Sequence, residues 1–233
     1  MAGKSVAENL KLVRDRISAA ALRAGRDASQ IHLVAVSKTK SLELIAEAST
    51  AGQKIFAENY AQELVAKAES RTDLEWHFIG RLQSNKVKQI VGITSLIHSI
   101  DRTKLAAEVS GVSQRKGIVQ DILLQVHLGD EATKGGAKID DLEDFLKEVL
   151  LMPGIRVRGL MSLPPLAEQE EVARGYFSQV NSAFLKLKNK FTDPLGRETF
   201  DILSIGTSGD FEWAILEGAT HVRVGTAIFG ERS

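Results

Sequence analysis

The lysine that ends the first apolar segment is the residue with the clearest capacity for chemistry. Lys38 closes residues 31–38, an apolar and β-branched run that is typical of a strand buried on both faces. Alternation along the strand places Lys38 on the same face as Val34 and Val36. Barrels and open α/β sheets bind ligands at the carboxyl ends of their strands, so this amine is a candidate binding group. A lysine that only marks the strand exit and points into water is the alternative.

A glycine-rich turn near the end of the sequence is a candidate phosphate site. Residues 206–209 read Gly-Thr-Ser-Gly and precede a short predicted helix, and Gly225 and Thr226 form a second small-residue pair further on. Two such loops commonly bind phosphate in barrels, because glycines let the anion reach backbone N–H groups. Ser208 adds a hydroxyl donor. An ordinary glycine loop with a serine helix cap fits this pattern equally well.

An amine and a phosphate site at one mouth indicate a phosphorylated carbonyl compound held as an imine. A lysine with the reference pKa of ~10.4 is neutral in only about 1 molecule in 2500 at pH 7. Burial or a neighbouring cation such as Arg223 would therefore have to lower the pKa of Lys38. A sugar-phosphate carbonyl in a Schiff-base aldolase and pyridoxal phosphate both satisfy this arrangement.

The elements that must position these groups alternate regularly along the sequence. An amphipathic helix opens the chain, and eight predicted strands follow, with helical segments between them, at residues 31–38, 54–60, 75–80, 96–101, 121–127, 157–163, 200–206 and 221–229. This repetition predicts an α/β fold, a (β/α)8 TIM-type barrel with an extra N-terminal helix. An open doubly wound sheet is the alternative. No linker composition interrupts the pattern, so we expect residues 1–233 to form a single domain.

The composition excludes several classes of function. Thirty basic and thirty acidic residues give zero formal net charge, which argues against binding to nucleic acid or to an anionic membrane through general electrostatic attraction. There is no cysteine, so the chain has no disulfide, thiolate metal site or thiol nucleophile. We predict no metal site. The charged N-terminal stretch and the lack of a long apolar run lead us to expect a cytoplasmic protein.

Five sequence blocks resemble the signature blocks of the pyridoxal phosphate homeostasis protein family, a one-domain relative of the alanine racemase barrel. They are residues 36–40 (VSKTK), 56–63 (FAENYAQE), 76–86 (WHFIGRLQSNK), 159–161 (GLM) and 223–230 (RVGTAIFG). The blocks are long, occur in the family's order and span nearly the whole chain. Residues 205–210 depart from the family, which usually has a methionine-rich turn there.

The resemblance implies a pyridoxal 5'-phosphate site built from six residues. Lys38 would form the internal aldimine, and Asn59 would lie beside the ring. The other residues implied are Ser208, Gly225 and Thr226 for the phosphate, and Arg223 for the pyridine nitrogen or the phosphate. The resemblance gives no chemical role to His77, which we interpret as a hydrogen-bonded core histidine.

The function implied by the resemblance is vitamin B6 homeostasis without catalytic turnover. The protein would hold pyridoxal phosphate, deliver it to apo enzymes or buffer it, and act as a monomer. A racemase-like enzyme is the main alternative, but it would need a second domain and subunit to supply the opposing acid-base group. We expect that domain to be absent because the sequence ends three residues after Gly230. A Schiff-base aldolase is disfavoured because Lys38 lies on the first strand.

Overall fold

The barrel is built from eight parallel strands surrounded by helices. The computed structural model describes residues 4–128, 135–165, 167–191 and 200–231. The strands are β1 (His32–Val36), β2 (Ile55–Glu58), β3 (Glu75–Phe78), β4 (Leu96–Ile100), β5 (Gln120–His127), β6 (Ile155–Ser162), β7 (Ile202–Ser204) and β8 (His221–Val224). The helices are α1 (Val6–Arg23), α2 (Leu42–Thr50), α3 (Ala61–Ser70), α4 (Val87–Ile90), α5 (Thr103–Lys116), α6 (Leu142–Leu150), α7 (Glu170–Lys190), α8 (Phe211–Leu216) and α9 (Thr226–Phe229).

Strand pairing closes the sheet into a ring. Every strand pairs in parallel with the next one along the chain, and β8 pairs with β1, where Arg223 lies opposite Val34. β4 also pairs with β5, so the sheet has no break at that point. The predicted (β/α)8 barrel is therefore confirmed, together with the extra helix α1 before β1, and the open doubly wound sheet is wrong.

Alternation along the strands separates two buried regions. Outward-facing residues join one large apolar core with the helices, whereas inward-facing Leu96, Leu123, Met161 and Ile202 form a separate cluster inside the barrel. β1 follows the same rule, since Ala35 packs in the outer core. Val34 and Val36 are buried but lie outside that core, as the prediction of a shared face with Lys38 requires.

Helix α1 is fixed at its start and along one face. Ser5 and Glu8 form a reciprocal capping box, which satisfies backbone N–H groups that the helix itself cannot. Leu10, Val13 and Ile17 are buried on its inner face. α1 packs beside α2, α8 and α9, next to the strand β1 that carries the candidate lysine.

Two segments differ from the sequence prediction. Residues 226–229 form helix α9 rather than the end of β8, because Ile228 and Phe229 donate their backbone N–H groups to the carbonyl of Gly225. The helix predicted near residues 83–91 is a 3-10 turn, Ser84–Lys86, followed by the short α4. Short apolar runs such as these do not distinguish strand from helix by periodicity.

A further short strand was not predicted. Ala137–Lys138 pairs with the end of β5. It follows the glycine-rich loop expected at Gly129, Gly135 and Gly136, of which residues 129–134 lie outside the described residues. Within the described ranges, no helix has both the length and the apolar character that a membrane span requires.

We predict that Gly159→Ala destabilises the barrel. Gly159 has φ +146°, and a Cβ there would collide with the carbonyl oxygen of its strand neighbour Ile202. Strain of this kind costs about 1–3 kcal/mol, so chemical denaturation should show a lower free energy of unfolding. The matched control is Gly175→Ala in α7, where a Cβ has open space and should stabilise the helix by about 0.5–1 kcal/mol. Equal unfolding midpoints for the two variants would contradict this account.

Candidate functional site

One cavity of about 670 Å³ lies at the mouth of the barrel, the end where the strands have their carboxyl termini. It is lined by all six binding residues inferred from the sequence, Lys38, Asn59, Ser208, Arg223, Gly225 and Thr226. Val36, Ile79, Leu163 and Trp213 contribute apolar surface to its wall. The fold therefore brings together residues that are separated by up to 188 positions in the sequence, from Lys38 to Thr226.

Other polar residues near strand ends do not reach this cavity. His77, Ser99, Asp101, His127 and Ser162 are absent from its wall in the part of the chain that the structure describes. A position near the end of a strand is therefore not sufficient to place a polar side chain in the cavity. Ser162 is fully buried with its hydroxyl on the carbonyl of Val126, 3.0 Å away, so it closes a strand pair rather than facing a ligand.

His77 lies inside the barrel beneath the mouth. Its side chain is 2% exposed. The ring nitrogens contact Glu75 Oε1 and His98 Nε2, each at 3.0 Å. The interpretation of His77 as a hydrogen-bonded core histidine is confirmed.

Lys38 lies in a tight turn that leaves β1. The backbone N–H of Lys40 donates to the carbonyl of Ser37 at 3.0 Å, and Thr39 adopts a left-handed conformation with φ +62°. A positive φ is uncommon for a β-branched residue and indicates a locally constrained backbone. The Thr39 N–H donates to Glu63 Oε1 at 2.7 Å, which ties the turn to helix α3.

A buried ion cluster holds the other side of this turn. Lys67 of α3 donates to Glu58 Oε1 at 2.8 Å, to Glu63 Oε1 at 2.6 Å and to the carbonyl of Ser37 at 2.8 Å. Ser37 Oγ donates to the same Glu58 oxygen at 2.7 Å. We call Ser37, Glu58, Glu63 and Lys67 the Lys67 cluster. It binds the backbone on both sides of Lys38.

Burial dominates the electrostatics of this cluster. The Glu58 side chain is 0% exposed and that of Lys67 is 8% exposed. Burial raises the pKa of Glu58, while the hydrogen bonds from Lys67 and Ser37 oppose that rise. A carboxylate and an ammonium are buried at this depth only when they are paired, so the two elements that carry them are held together.

Arg223 forms the floor of the cavity. Its guanidinium donates from Nη1 to Ser204 Oγ at 2.6 Å and to the Ser204 carbonyl at 2.8 Å, and from Nη2 to the Ser162 carbonyl at 2.9 Å. Burial lowers the pKa of Arg223 to about 10, with the negative charge of Asp210 opposing. The side chain still carries its charge at pH 7 and can attract an anion to the cavity.

The two small-residue loops hold each other in place. Ser208 Oγ accepts a hydrogen bond from the Gly225 N–H at 3.0 Å, which leaves the hydroxyl hydrogen to donate. Gly206 has φ +90°, and a Cβ there would lie 2.6 Å from Ala214 Cβ, so glycine is required where the chain turns into α8. The short helix expected after residues 206–209 is confirmed as α8.

Asn59 supplies an unsatisfied polar group. Its Oδ1 is buried and has no hydrogen-bond partner among the residues that the structure describes. A Cβ on Gly80 would collide with the Asn59 carbonyl oxygen, so glycine at position 80 allows the close backbone packing beside it. A buried polar atom without a partner at a cavity wall fits a site whose ligand supplies the missing hydrogen bond.

Some functional residues were not found from the sequence. Glu58 pairs with Lys67 of α3, and in the sequence Lys67 looks like an ordinary lysine on an amphipathic helix. His98 and Ser204 were not identified from the sequence either, although both are fully buried inside the barrel. A polar residue within an apolar strand indicates a buried polar side chain, but it does not identify the residue that this side chain contacts.

Comparisons with known sequences place the chain in a family. The family model for the N-terminal domain of alanine racemase matches residues 5–233. A pyridoxal phosphate homeostasis protein of Aquifex aeolicus is 44% identical over 227 residues, which cover 97% of each chain. The protein of the same name from Escherichia coli is 43% identical over 236 residues, with 97% of both chains covered.

Solved structures agree with this assignment. An unknown protein from Bifidobacterium adolescentis has a TM-score of 0.91 and 32% identity, covering 96% of this chain and 94% of that one. PipY of Synechococcus elongatus with PLP bound has a TM-score of 0.80 and 32% identity, covering 97% and 100%. Alanine racemase of Clostridium difficile, at 12% identity and a TM-score of 0.73, shares the fold over 57% of its length. The chain therefore belongs to the alanine racemase N-terminal domain family and, within it, to the pyridoxal phosphate homeostasis proteins.

Proposed function

We propose that this protein binds pyridoxal 5'-phosphate in the mouth cavity, with Lys38 as the attachment point, and that it serves vitamin B6 homeostasis in the cytoplasm. The observation that carries the proposal is the single cavity that joins Lys38, Arg223 and the Ser208–Gly225 contact. The name shared by the relatives and the PLP bound to PipY support it. We also propose that residues 1–233 act as one barrel domain.

The cavity matches the chemistry of this cofactor. When bound, pyridoxal phosphate supplies an aldehyde that condenses with a primary amine, a ring nitrogen and a phosphate dianion. Lys38 provides the amine, and the half-buried position of its side chain lets it face the cavity without full desolvation. Val36 and Ile79 offer apolar surface to an aromatic ring, and the unsatisfied Asn59 Oδ1 accepts a hydrogen bond.

The phosphate would be held on the side of the β7 and β8 loops. The Ser208 hydroxyl, the backbone around Gly225 and the Thr226 hydroxyl are the proposed donors. Arg223 has five N–H donors, and its three hydrogen bonds to the protein leave two for a ligand. We propose that these face either the phosphate or the ring nitrogen.

We propose further that the bound cofactor is stored or handed on rather than used for catalysis, by a monomer that serves apo enzymes. Racemisation needs a base on one face of the α-carbon and an acid on the other. Among the described residues of the cavity wall there is no histidine or tyrosine. Of the groups there that can carry a proton, Lys40 donates to a backbone carbonyl and Asp210 accepts from Thr207.

We predict that Lys38 alone carries the covalent adduct. Borohydride reduction of the cofactor-loaded protein, followed by peptide mapping, should place the pyridoxyl group on Lys38. Lys38→Ala should abolish the adduct and the visible absorption of the bound cofactor. Lys40→Ala is the matched control, because Lys40 lines the same cavity but is engaged by the carbonyl of Glu231, and it should leave the adduct intact. An adduct on Lys40 or Lys86 would contradict the assignment.

We predict a strong preference for the phosphorylated cofactor. Charge-assisted hydrogen bonds contribute about 1.5–3 kcal/mol each, so pyridoxal should bind at least ~100-fold more weakly than pyridoxal phosphate, a difference of about 2.7 kcal/mol. Ser208→Ala should reduce this preference by weakening pyridoxal phosphate alone, since pyridoxal has no phosphate for the hydroxyl to contact. Equal affinity of the wild-type protein for the two compounds would place the phosphate elsewhere.

We predict that the loaded protein does not turn over amino acids at an enzymatic rate. The measurement is α-proton exchange and optical rotation of single enantiomers of alanine and serine in deuterium oxide. The described cavity wall has no histidine or tyrosine to act as the opposing acid-base group, and Arg223 does not give up its proton, so it makes the ring a poor electron sink if it meets the ring nitrogen. Turnover near 1–1000 per second would favour the racemase-like alternative.

A further inference from the structure

A continuous line of hydrogen bonds crosses the interior of the barrel and ends at Arg223. Glu75 Oε1 lies 3.0 Å from His77 Nε2, and His77 Nδ1 lies 3.0 Å from His98 Nε2. His98 Nδ1 lies 3.0 Å from Ser204 Oγ, which accepts from Arg223 Nη1 at 2.6 Å. We call these five residues the interior relay. They come from β3, β4, β7 and β8, on opposite sides of the ring.

The relay connects the bottom of the barrel with its mouth. Its middle is sealed from water, because His77 is 2% exposed and His98 and Ser204 are 0% exposed. Glu75 opens β3 at the bottom of the barrel, and 46% of its side chain is exposed. Arg223 at the other end is 3% exposed and lines the mouth cavity. A solvent-facing carboxylate is thus connected to the floor of the ligand site.

A direction of hydrogen bonding that runs from Arg223 to Glu75 satisfies both ends of the relay. Arginine has only donors, and an ionised carboxylate has only acceptors. In this direction Ser204 Oγ accepts from Arg223 and its hydroxyl hydrogen donates to His98 Nδ1. His98 Nε2 then donates to His77 Nδ1, and His77 Nε2 donates to Glu75. Each ring carries one hydrogen in this arrangement, on Nε2.

The electrostatics agree with this direction. Burial, together with the nearby His77, Arg223 and His221, lowers the pKa of His98 well below its ordinary value, so the ring is neutral at pH 7. The hydrogen bond from His77 is the main reason that the pKa of Glu75 is lowered, so the carboxylate stays ionised. The relay accordingly has a negative group at one end and a positive group at the other.

Arg223 needs such a partner. Among the described residues, its guanidinium donates to three uncharged acceptor atoms, the Ser204 carbonyl, the Ser162 carbonyl and Ser204 Oγ, and a buried charge without a hydrogen-bonded counter-ion is unfavourable. In the relay each donor points away from Arg223, so the dipoles present their negative ends to the guanidinium. Hydrogen bonds aligned in this way polarise and strengthen one another.

We infer that Glu75, His77 and His98 are positioning residues that hold Arg223, through Ser204, in the direction needed to meet a ligand at the mouth. This inference rests on the proposed function, in which Arg223 binds pyridoxal phosphate. The histidines do not touch the ligand. They hold the Ser204 hydroxyl with its oxygen toward the guanidinium. In this way they keep two N–H donors of Arg223 turned to the cavity rather than to the barrel interior.

The pair His98→Asn and His98→Gln tests the inference at one position. An asparagine amide oxygen can take the place of the imidazole Nδ1 and still accept from Ser204, whereas a glutamine amide can replace Nε2 and contact only His77. Both remove the ring and disturb packing similarly. We expect the Asn variant to bind pyridoxal phosphate within about 3-fold of wild type and the Gln variant at least 10-fold more weakly. His32→Gln, at the bottom of the barrel but outside the relay, is the control and should match wild type.

Nitrogen-15 NMR of the apo protein tests the relay without the cofactor. We expect the His98 resonances of a protonated Nε2 and an unprotonated Nδ1, and the Nδ1–H tautomer would overturn the inference even if the variants fail to fold. Equal affinities of the Asn and Gln variants in a protein whose wild type binds pyridoxal phosphate would overturn the inference alone. A wild type that does not bind the cofactor would overturn the proposed function and, with it, the role assigned to Arg223.

Discussion

The contact between Lys67 and Glu58 is the constraint on which the geometry of the mouth depends. A pair this deeply buried is weak evidence for stability, because the desolvation of two charges offsets much of their attraction. Its effect is instead on position. Lys67 also binds the carbonyl of Ser37, and Glu63 binds the N–H of Thr39, so Lys38 projects from a backbone that is fixed on both sides. Removal of Lys67 or Glu58 would leave the other charge buried without its partner, and it would also free the turn that carries Lys38.

The barrel interior contains an apolar group and a polar group of side chains. Leu96, Leu123, Met161 and Ile202 form an apolar plug, whereas His77, His98, Ser204 and Arg223 are polar and fully connected to one another. A buried polar network is tolerated when each of its members has a partner. The apolar plug fills part of the interior, and the polar network ends at the positive charge of Arg223 on the floor of the cavity.

This division suits the proposed role, in which the protein holds a cofactor without transforming it. Attachment requires an amine at a fixed position, an anion site and an apolar wall, and the mouth offers all three. Catalysis would require a second acid-base group opposite the first. His77 and His98 are buried in the interior of the barrel and lie away from the described cavity wall.

Most of the strands and helices, and the residues at their ends, could be predicted from the sequence. Apolar periodicity fixed the alternation of strands and helices, and Lys38, Ser208 and Gly225 could be selected because a strand's carboxyl end is known from local pattern alone. Only the tertiary structure decided what those residues contact. Lys67 meets Glu58 across a strand and a helix, and His98 meets Ser204 across 106 positions of sequence. The second pair depends on strand register and barrel closure, which arise from the packing of the whole chain, and the first depends on how α3 packs against β2.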